Sequence, residues 1–332
     1  MTVTLFGTTQ AGEDVHKITL HSDTLTVSIL TLGAILQDVR LAGVGHSLTL
    51  GSYDLAAYDQ GPLAHFGAIM GPVANRIKEA TAVLNGTALQ FDKNVLGQHT
   101  LHGGSAAFHH KVWAIDEASD TSVSLSLVAP HGDGGFPGLR PVTARLDVTG
   151  SALTLSLSAT TDRPTFLNLA NHSYWNLDAT PTFKGHKLQV MANTYLPTTD
   201  AFIPTGAIAP VEGTPFDLRN ARDVVPAHAD GFDNNFCVSS ERRDLTHVAT
   251  LTGQTGIGLE MWTTEPGLQV YDARAQGSGA FAGLNGAPYQ NYCGLALEAQ
   301  MWPNAPNEPA FPSIEITPDA AYRQITQWRF TQ

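Results

Sequence analysis

Apolar residues fall on every second position over long stretches of this 332-residue chain. Between Thr121 and Leu127 they are Val123, Leu125 and Leu127. Between Ser151 and Ser158 they are Leu153, Leu155 and Leu157, and between Thr24 and Leu30 they are Leu25, Val27 and Ile29. Near the C-terminus Thr326, Trp328 and Phe330 share one face. A period of two sends one set of side chains into a core and the other, here mostly Ser and Thr, to the opposite sheet face. Turn formers interrupt these runs at short intervals, as at Leu84-Asn85-Gly86-Thr87, His131 to Gly138 and Ile203-Pro204-Thr205-Gly206. No apolar set at helical spacing persists, and the best short helical segments are Asp54–Tyr58 and Asp217–Ala221. The pattern predicts an all-β fold, an antiparallel sandwich or barrel. Residues 1–332 read as a single domain, with the Gly-rich stretch Gly277–Gly286 as a mobile loop.

Composition bears on how such a chain stays in solution. Only 14% of its residues are charged (18 Lys+Arg, 30 Asp+Glu), against about 25% in an ordinary soluble domain. The solvent-facing sides of the strands must therefore be coated with hydroxyls. A net charge of -12 disfavours nucleic acid and anionic membrane surfaces, both of which call for a basic face. The N-terminus lacks a basic region followed by an apolar run, and no stretch approaches the ~18 apolar residues of a membrane span. The cytoplasm is the expected location. The two cysteines, Cys237 and Cys293, are expected to be reduced.

Five segments break the Ser/Thr/Val background. In Gly71-Pro72-Val73-Ala74-Asn75-Arg76-Ile77, an amide beside a forked cation suits hydroxyl or carboxylate recognition. In Leu101-His102-Gly103-Gly104, two glycines allow backbone to approach a ligand closely. In Asn168 to Leu177, His172 lies among asparagines that can fix its tautomer, with Tyr174 and Trp175 able to stack on an apolar sugar face. An imidazole is the natural general acid near neutrality. In Gly231-Phe232-Asp233-Asn234-Asn235-Phe236, a lone carboxylate stands between aromatic flanks. In Gly294 to Asn304, Glu298 interrupts an apolar strand-like run and Gln300 shares its face. A carboxylate there is costly unless paired or used, and partial desolvation raises its pKa toward that of a useful base. Each segment also has a plain structural reading, as a turn, a core-edge ion pair or a satisfied histidine. Metal-ligand spacings, phosphate loops, dinucleotide fingerprints and nucleophile elbows are missing from the sequence.

Taken in order, these segments resemble the aldose 1-epimerase (mutarotase) family, of the galactose mutarotase type, across essentially the whole chain. The resemblance also rests on Leu196-Pro197-Thr198-Thr199-Asp200, Thr214-Pro215-Phe216-Asp217-Leu218-Arg219 and Pro303-Asn304-Ala305-Pro306-Asn307. It implies a large antiparallel β-sandwich, or supersandwich, with a sugar in an open cleft on one sheet. Residue by residue, it implies Glu298 as general base at the anomeric hydroxyl, His172 as general acid at the ring oxygen and His102 as an assisting hydrogen-bond partner. Arg76 and Asp233 would bind sugar hydroxyls, with Asn75, Gln300, Tyr174 and Trp175 completing the substrate site. The implied reaction interconverts anomers of free aldohexoses and requires no metal or cofactor. The implied assembly is a monomer or homodimer. Departures from the family pattern are Pro72, Ser173, Trp175 and Asp272, of which Trp175 and Asp272 would alter sugar preference. Three competing readings are a sugar-phosphate epimerase, a glycoside hydrolase using Glu298 with Asp233, and a sugar-binding module without turnover.

Overall fold

A computed structural model describes residues 1–226 and 231–332. Its largest element is a nine-stranded antiparallel sheet. Edge to edge it runs through Ala114–Ala118, Ser122–Ala129, Arg140–Thr149, Ala152–Ala159, Tyr322–Thr331, Gly258–Thr263, Thr246–Thr252, Lys187–Val190 and Arg222–Asp223. The alternation read from sequence is realised strand by strand: Val123, Leu125, Leu153, Leu155, Leu157, Trp328 and Phe330 are all buried. Between them Ser124, Ser126, Thr154 and Ser156 stay partly exposed, as a hydroxyl-coated outer face requires.

A second, six-stranded antiparallel sheet comprises Tyr174–Trp175, Leu295–Gln300, Gly267–Tyr271, Asp233–Cys237, Thr194–Tyr195 and Ala209–Pro210. Period two also governs it, but both faces matter. Leu295, Leu297, Ala299, Leu268, Val270, Phe236 and Trp175 join the same core cluster as the apolar face of the nine-stranded sheet. The intervening residues face the other way. Cross-strand register aligns Asp233 with Tyr271 and Ala296, and Asn235 with Gln269 and Glu298. A four-stranded sheet, Thr2–Thr8 to Ile35–Leu41, completes the main layers. The expected all-β antiparallel sandwich is therefore what the chain forms.

Local expectations met mixed outcomes. Asn85 and Gly86, both at positive φ, close the tight hairpin between Thr81–Leu84 and Thr87–Gln90, as an Asn-Gly pair favours. A short helix forms at Ala56–Asp59, overlapping the first expected helical segment and ending one residue beyond it. The second, Asp217–Ala221, does not form. There the Asp217 carboxylate accepts bonds from the backbone N–H and the guanidinium of Arg219, a local alternative to helix that short acidic side chains provide. Nor does Gly277–Gly286 hang free. The Tyr289 hydroxyl receives the N–H groups of Gly51 and Leu284 and donates to the Gly51 carbonyl, while Ser278 holds the Tyr289 backbone. Both cysteines are buried and free, as expected.

Two loops meet at Gly103. Its φ is +91°, and a Cβ there would stand 2.3 Å from the Gly71 carbonyl oxygen and 2.6 Å from Pro72 Cδ. Gly86 shares a positive φ but faces nothing within 4 Å. We therefore expect Gly103→Ala to cost at least ~1 kcal/mol more in urea unfolding than Gly86→Ala, since only the first adds a backbone clash to the conformational strain. Equal costs would show that the Gly71–Pro72 loop yields freely.

Candidate active site

A cavity of about 260 Å³ opens on the face of the six-stranded sheet turned away from the core, and Glu298, His172, His102, Arg76, Asp233, Asn75 and Tyr174 all line it. Its size lies near the lower end for small-molecule pockets, suited to a single small ligand.

Glu298 sits in mid-strand, 2% exposed, with leucine or alanine on either side. One carboxylate oxygen lies 3.5 Å from Nε2 of His172, and the other is buried without a protein partner. His172 comes from the loop between Ala170–Asn171, which pairs with Ile69–Met70, and Tyr174–Trp175, which pairs with Leu295–Ala296. Its backbone is clamped on both sides: its N–H donates to the Ala68 carbonyl, and its own carbonyl accepts from Gly67. Asn171 donates to the Gly67 carbonyl and accepts from the Ser173 N–H. The imidazole is thereby aimed at the carboxylate.

Burial pushes the Glu298 carboxyl well above its ordinary range; Asp233 pushes the same way and Arg76 opposes. Burial pulls the His172 imidazole down to about 3, with His65 adding to the effect. Burial therefore opposes charge on both side chains. A proton passed from the carboxyl to the imidazole across the 3.5 Å contact gives carboxylate and imidazolium. The arrangement can donate a proton at one point and accept one at a neighbouring point.

Asn75 and His102 are two buried residues at positive φ, 61° and 51°. The short ladder of Arg76–Ile77 with Thr100–Leu101 brings them together. The His102 N–H donates to the Asn75 carbonyl at 2.9 Å, and the Asn75 N–H donates to Nδ1 of His102 at 3.1 Å. An accepting Nδ1 leaves the ring proton on Nε2. Burial also depresses the pKa of His102, so it offers a neutral donor. Such strained backbone clusters at functional sites.

Arg76 and Asp233 face each other at 3.7 Å. The Arg76 guanidinium lies 5.2 Å from the Phe202 ring, and its Nε is buried without a partner. Asp233 accepts from Gln269 at 2.7 Å. Burial raises its pKa, while Arg76 and Gln269 act against that rise. The pair offers donors and acceptors with no free net charge.

Three expectations from sequence change. Trp175 does not line the cavity: it follows Tyr174 in one strand, so the pleat turns it inward against Trp328 and Phe330. Gln300 shares the Glu298 face but lies one pair of residues further along, outside the cavity lining, with its amide buried and unpartnered. Asp272 does not reach the cleft either. It accepts the Phe232 N–H and grips the Arg274 guanidinium, and Arg274 lines the cavity in its place. Sequence reading also missed His65, Phe202, Tyr271 and Gln276, which contribute to the wall. Tyr271 and Gln269 could have been placed by alternation once their strand was paired with Glu298; His65 and Phe202 lie on loops with no period to reveal them. No group of three or more His, Cys, Asp or Glu among the described residues is arranged to hold a metal ion.

The aldose 1-epimerase family model matches residues 16–329. A galactose mutarotase from Homo sapiens is 34% identical over 329 residues, covering 96% of this chain and 95% of that protein. An aldose 1-epimerase from Escherichia coli K12 is 30% identical, covering 96% of each. The crystal structure of an aldose epimerase homologue from C. elegans superposes with a TM-score of 0.88 at 28% identity, covering 95% of this chain and 98% of that one.

The buried imidazoles set an acid sensitivity. His65, His102 and His109 are held neutral by burial, with His65 lowered to about 4 and His109 to about 2. Unfolded, each takes up a proton below about pH 6.5. Stability is thus complete above that pH and falls as pH drops toward the folded values. We expect the unfolding free energy to fall by at least ~2 kcal/mol per pH unit between pH 6 and 5, measured by urea titration. A flat profile there would mean that these rings protonate within the fold.

Proposed function

The chain belongs to the aldose 1-epimerase family, and we propose that its cleft interconverts the α and β anomers of free aldohexoses such as glucose and galactose. The observation that carries this reading is the 3.5 Å approach of His172 Nε2 to the Glu298 carboxylate. Opening a hemiacetal requires a proton to leave the anomeric hydroxyl and a proton to reach the ring oxygen. These two oxygens are attached to the same carbon, so a neighbouring base and acid can serve both at once.

In the proposed sequence, Glu298 as carboxylate takes the proton of the anomeric hydroxyl. The carbonyl forms at C1 as its bond to the ring oxygen breaks, and the His172 imidazolium protonates that oxygen. Rotation about the C1–C2 bond presents the other face of the aldehyde. Closure runs in reverse: His172 removes the proton from the attacking hydroxyl, and Glu298 returns one to the former carbonyl oxygen. The pair ends with the proton count it began with. His102, with Nε2–H free to donate, steadies the same oxygens. Arg76, Asp233 and Asn75 hold ring hydroxyls, and Tyr174 supports the wall behind His172.

An uncharged sugar fits this cleft better than a phosphorylated one. Arg76 faces Asp233 and Arg274 is held by Asp272, so neither arginine brings a free charge for a phosphate. The free buried thiols fit a cytoplasmic setting.

Polarimetric relaxation of freshly dissolved α-D-glucose and α-D-galactose tests the assignment. We expect Glu298→Gln to lose at least ~100-fold in catalysed rate, the lower range for a general base, and His172→Asn to lose a comparable factor with an altered pH profile. Near-full activity in Glu298→Gln would refute the base assignment. An unaltered rate and profile in His172→Asn would move the acid role to His102.

A further inference from the structure

Arg274 lines the cavity, yet the reaction above gives it no task. With Ala275 and Gln276 it forms a piece of wall that follows the strand Gly267–Tyr271. Glu298 pairs with Gln269, two residues before that strand ends, so Tyr271 already lies about 7 Å further along the sheet than the reacting carboxyl. The guanidinium does not trail in solvent. Its Nε donates to Oδ1 of Asp272 at 3.0 Å and its Nη2 to Oδ2 at 3.2 Å, while the Arg274 backbone N–H donates to Oδ1 at 3.1 Å. Asp272 is itself fixed: its N–H donates to the Phe232 carbonyl and its Oδ2 accepts the Phe232 N–H, both at 3.0 Å. The carboxylate is 4% exposed and the Arg274 side chain 32%. Gly231, at a φ of +31°, leaves room for the fork, since a Cβ there would collide with Nη2.

A guanidinium has five N–H groups, and Asp272 takes two of them. Among the described residues no other group accepts from the rest. The pair carries no net charge, so what it brings to the cleft is hydrogen-bond donation to a neutral group. A sugar hydroxyl is the acceptor that the proposed substrate supplies. An arginine held in one geometry before binding loses less freedom on taking such an acceptor than an untethered one does. We infer that Arg274 is a specificity-determining residue that donates to a non-reacting hydroxyl of the sugar, and that Asp272 is the positioning residue that aims it. The inference rests on the mutarotase reading of the cleft. Asp272 touches no substrate and acts only through the fork it holds.

The test removes sugar hydroxyls one at a time. Polarimetric kcat and KM are measured for D-glucose and its 2-, 3-, 4- and 6-deoxy forms, with the wild type, Arg274→Met, Arg274→Lys and Asp272→Asn. Arg274→Met keeps a long side chain without donors. It should lower kcat/KM for glucose by roughly 10-fold, the worth of one hydrogen bond to a charged group, mostly through KM. The deoxy form that lacks the contacted hydroxyl should be handled alike by the wild type and Arg274→Met, while the other forms keep the loss. Arg274→Lys should recover part of the activity on glucose. Asp272→Asn should show a smaller loss with the same deoxy pattern, because the donors remain but are held less firmly. No loss for glucose in Arg274→Met overturns the inference. So does an equal loss for all five sugars, which would make Arg274 a part of the wall only and leave the roles of Glu298 and His172 standing. A different deoxy pattern in Asp272→Asn removes the positioning role of Asp272. Should Arg274→Met fail to fold, Arg274→Lys and Asp272→Asn decide by the same comparison. A wild type that accelerates none of the five sugars removes the mutarotase reading itself, and this inference with it.

Discussion

Burial of a carboxyl group in the middle of an apolar strand is the constraint on which the rest of the site depends. Glu298 stands between Leu297 and Ala299, both in the inter-sheet core, and its own side chain faces the cleft with 2% exposure. An ionised carboxylate there would carry a large desolvation cost. The surroundings offset it only in part, through Arg76 beyond Asp233 and the His172 ring at 3.5 Å. That incomplete compensation is chemically useful. A fully neutralised carboxylate would be a weak base, and an isolated one would simply stay protonated. A carboxyl and an imidazole in contact, each disfavoured as an ion by burial, can pass a proton from one to the other.

Residues of the cleft come both from regular strands and from short irregular ladders and loops. Glu298, Asp233 and Gln269 come from the six-stranded sheet, where the pleat fixes their direction. His172, His102 and Arg76 come from two-residue pairings and loops. Those loops are rigid for identifiable reasons. Asn75 and His102 lock each other through two hydrogen bonds at strained backbone angles, and Gly103 admits the Gly71–Pro72 turn at a distance no side chain would allow. Holding such groups in place before the substrate arrives lowers the cost of orienting them during reaction.

How much of this was legible in the sequence follows the same division. Period two alone anticipated the sandwich and the buried sets at Val123–Leu125, Leu153–Leu157 and Trp328–Phe330. It also placed Glu298 as a carboxylate on the rim of an apolar strand. The motifs at Arg76, His102, His172 and Asp233 were visible by residue type, and the cavity brings all of them together. The errors came where a neighbour in sequence was taken for a neighbour in space. Trp175 adjoins Tyr174, yet the pleat sends it into the core; Gln300 shares the face of Glu298 but not its cavity. Asp272 looked like an added cleft carboxylate until its partner Arg274 turned it aside. His65 could not be found by pattern, because its place depends on a loop folding back under His172. Asp217–Ala221 failed as a helix because a side chain outcompeted the backbone for its own hydrogen bonds.

The central claim is that Glu298 and His172 act as one proton-holding unit, and a double-mutant cycle tests it most directly. Catalysed relaxation of α-D-galactose would be measured for Glu298→Gln, His172→Asn and the combined variant, after subtracting the spontaneous rate. If the two side chains share one proton and one function, the double variant should be scarcely slower than the more damaged single variant, as expected for groups that work together. Losses that multiply, so that the logarithm of the double effect equals the sum of the singles, would show two independent contributions and contradict the account.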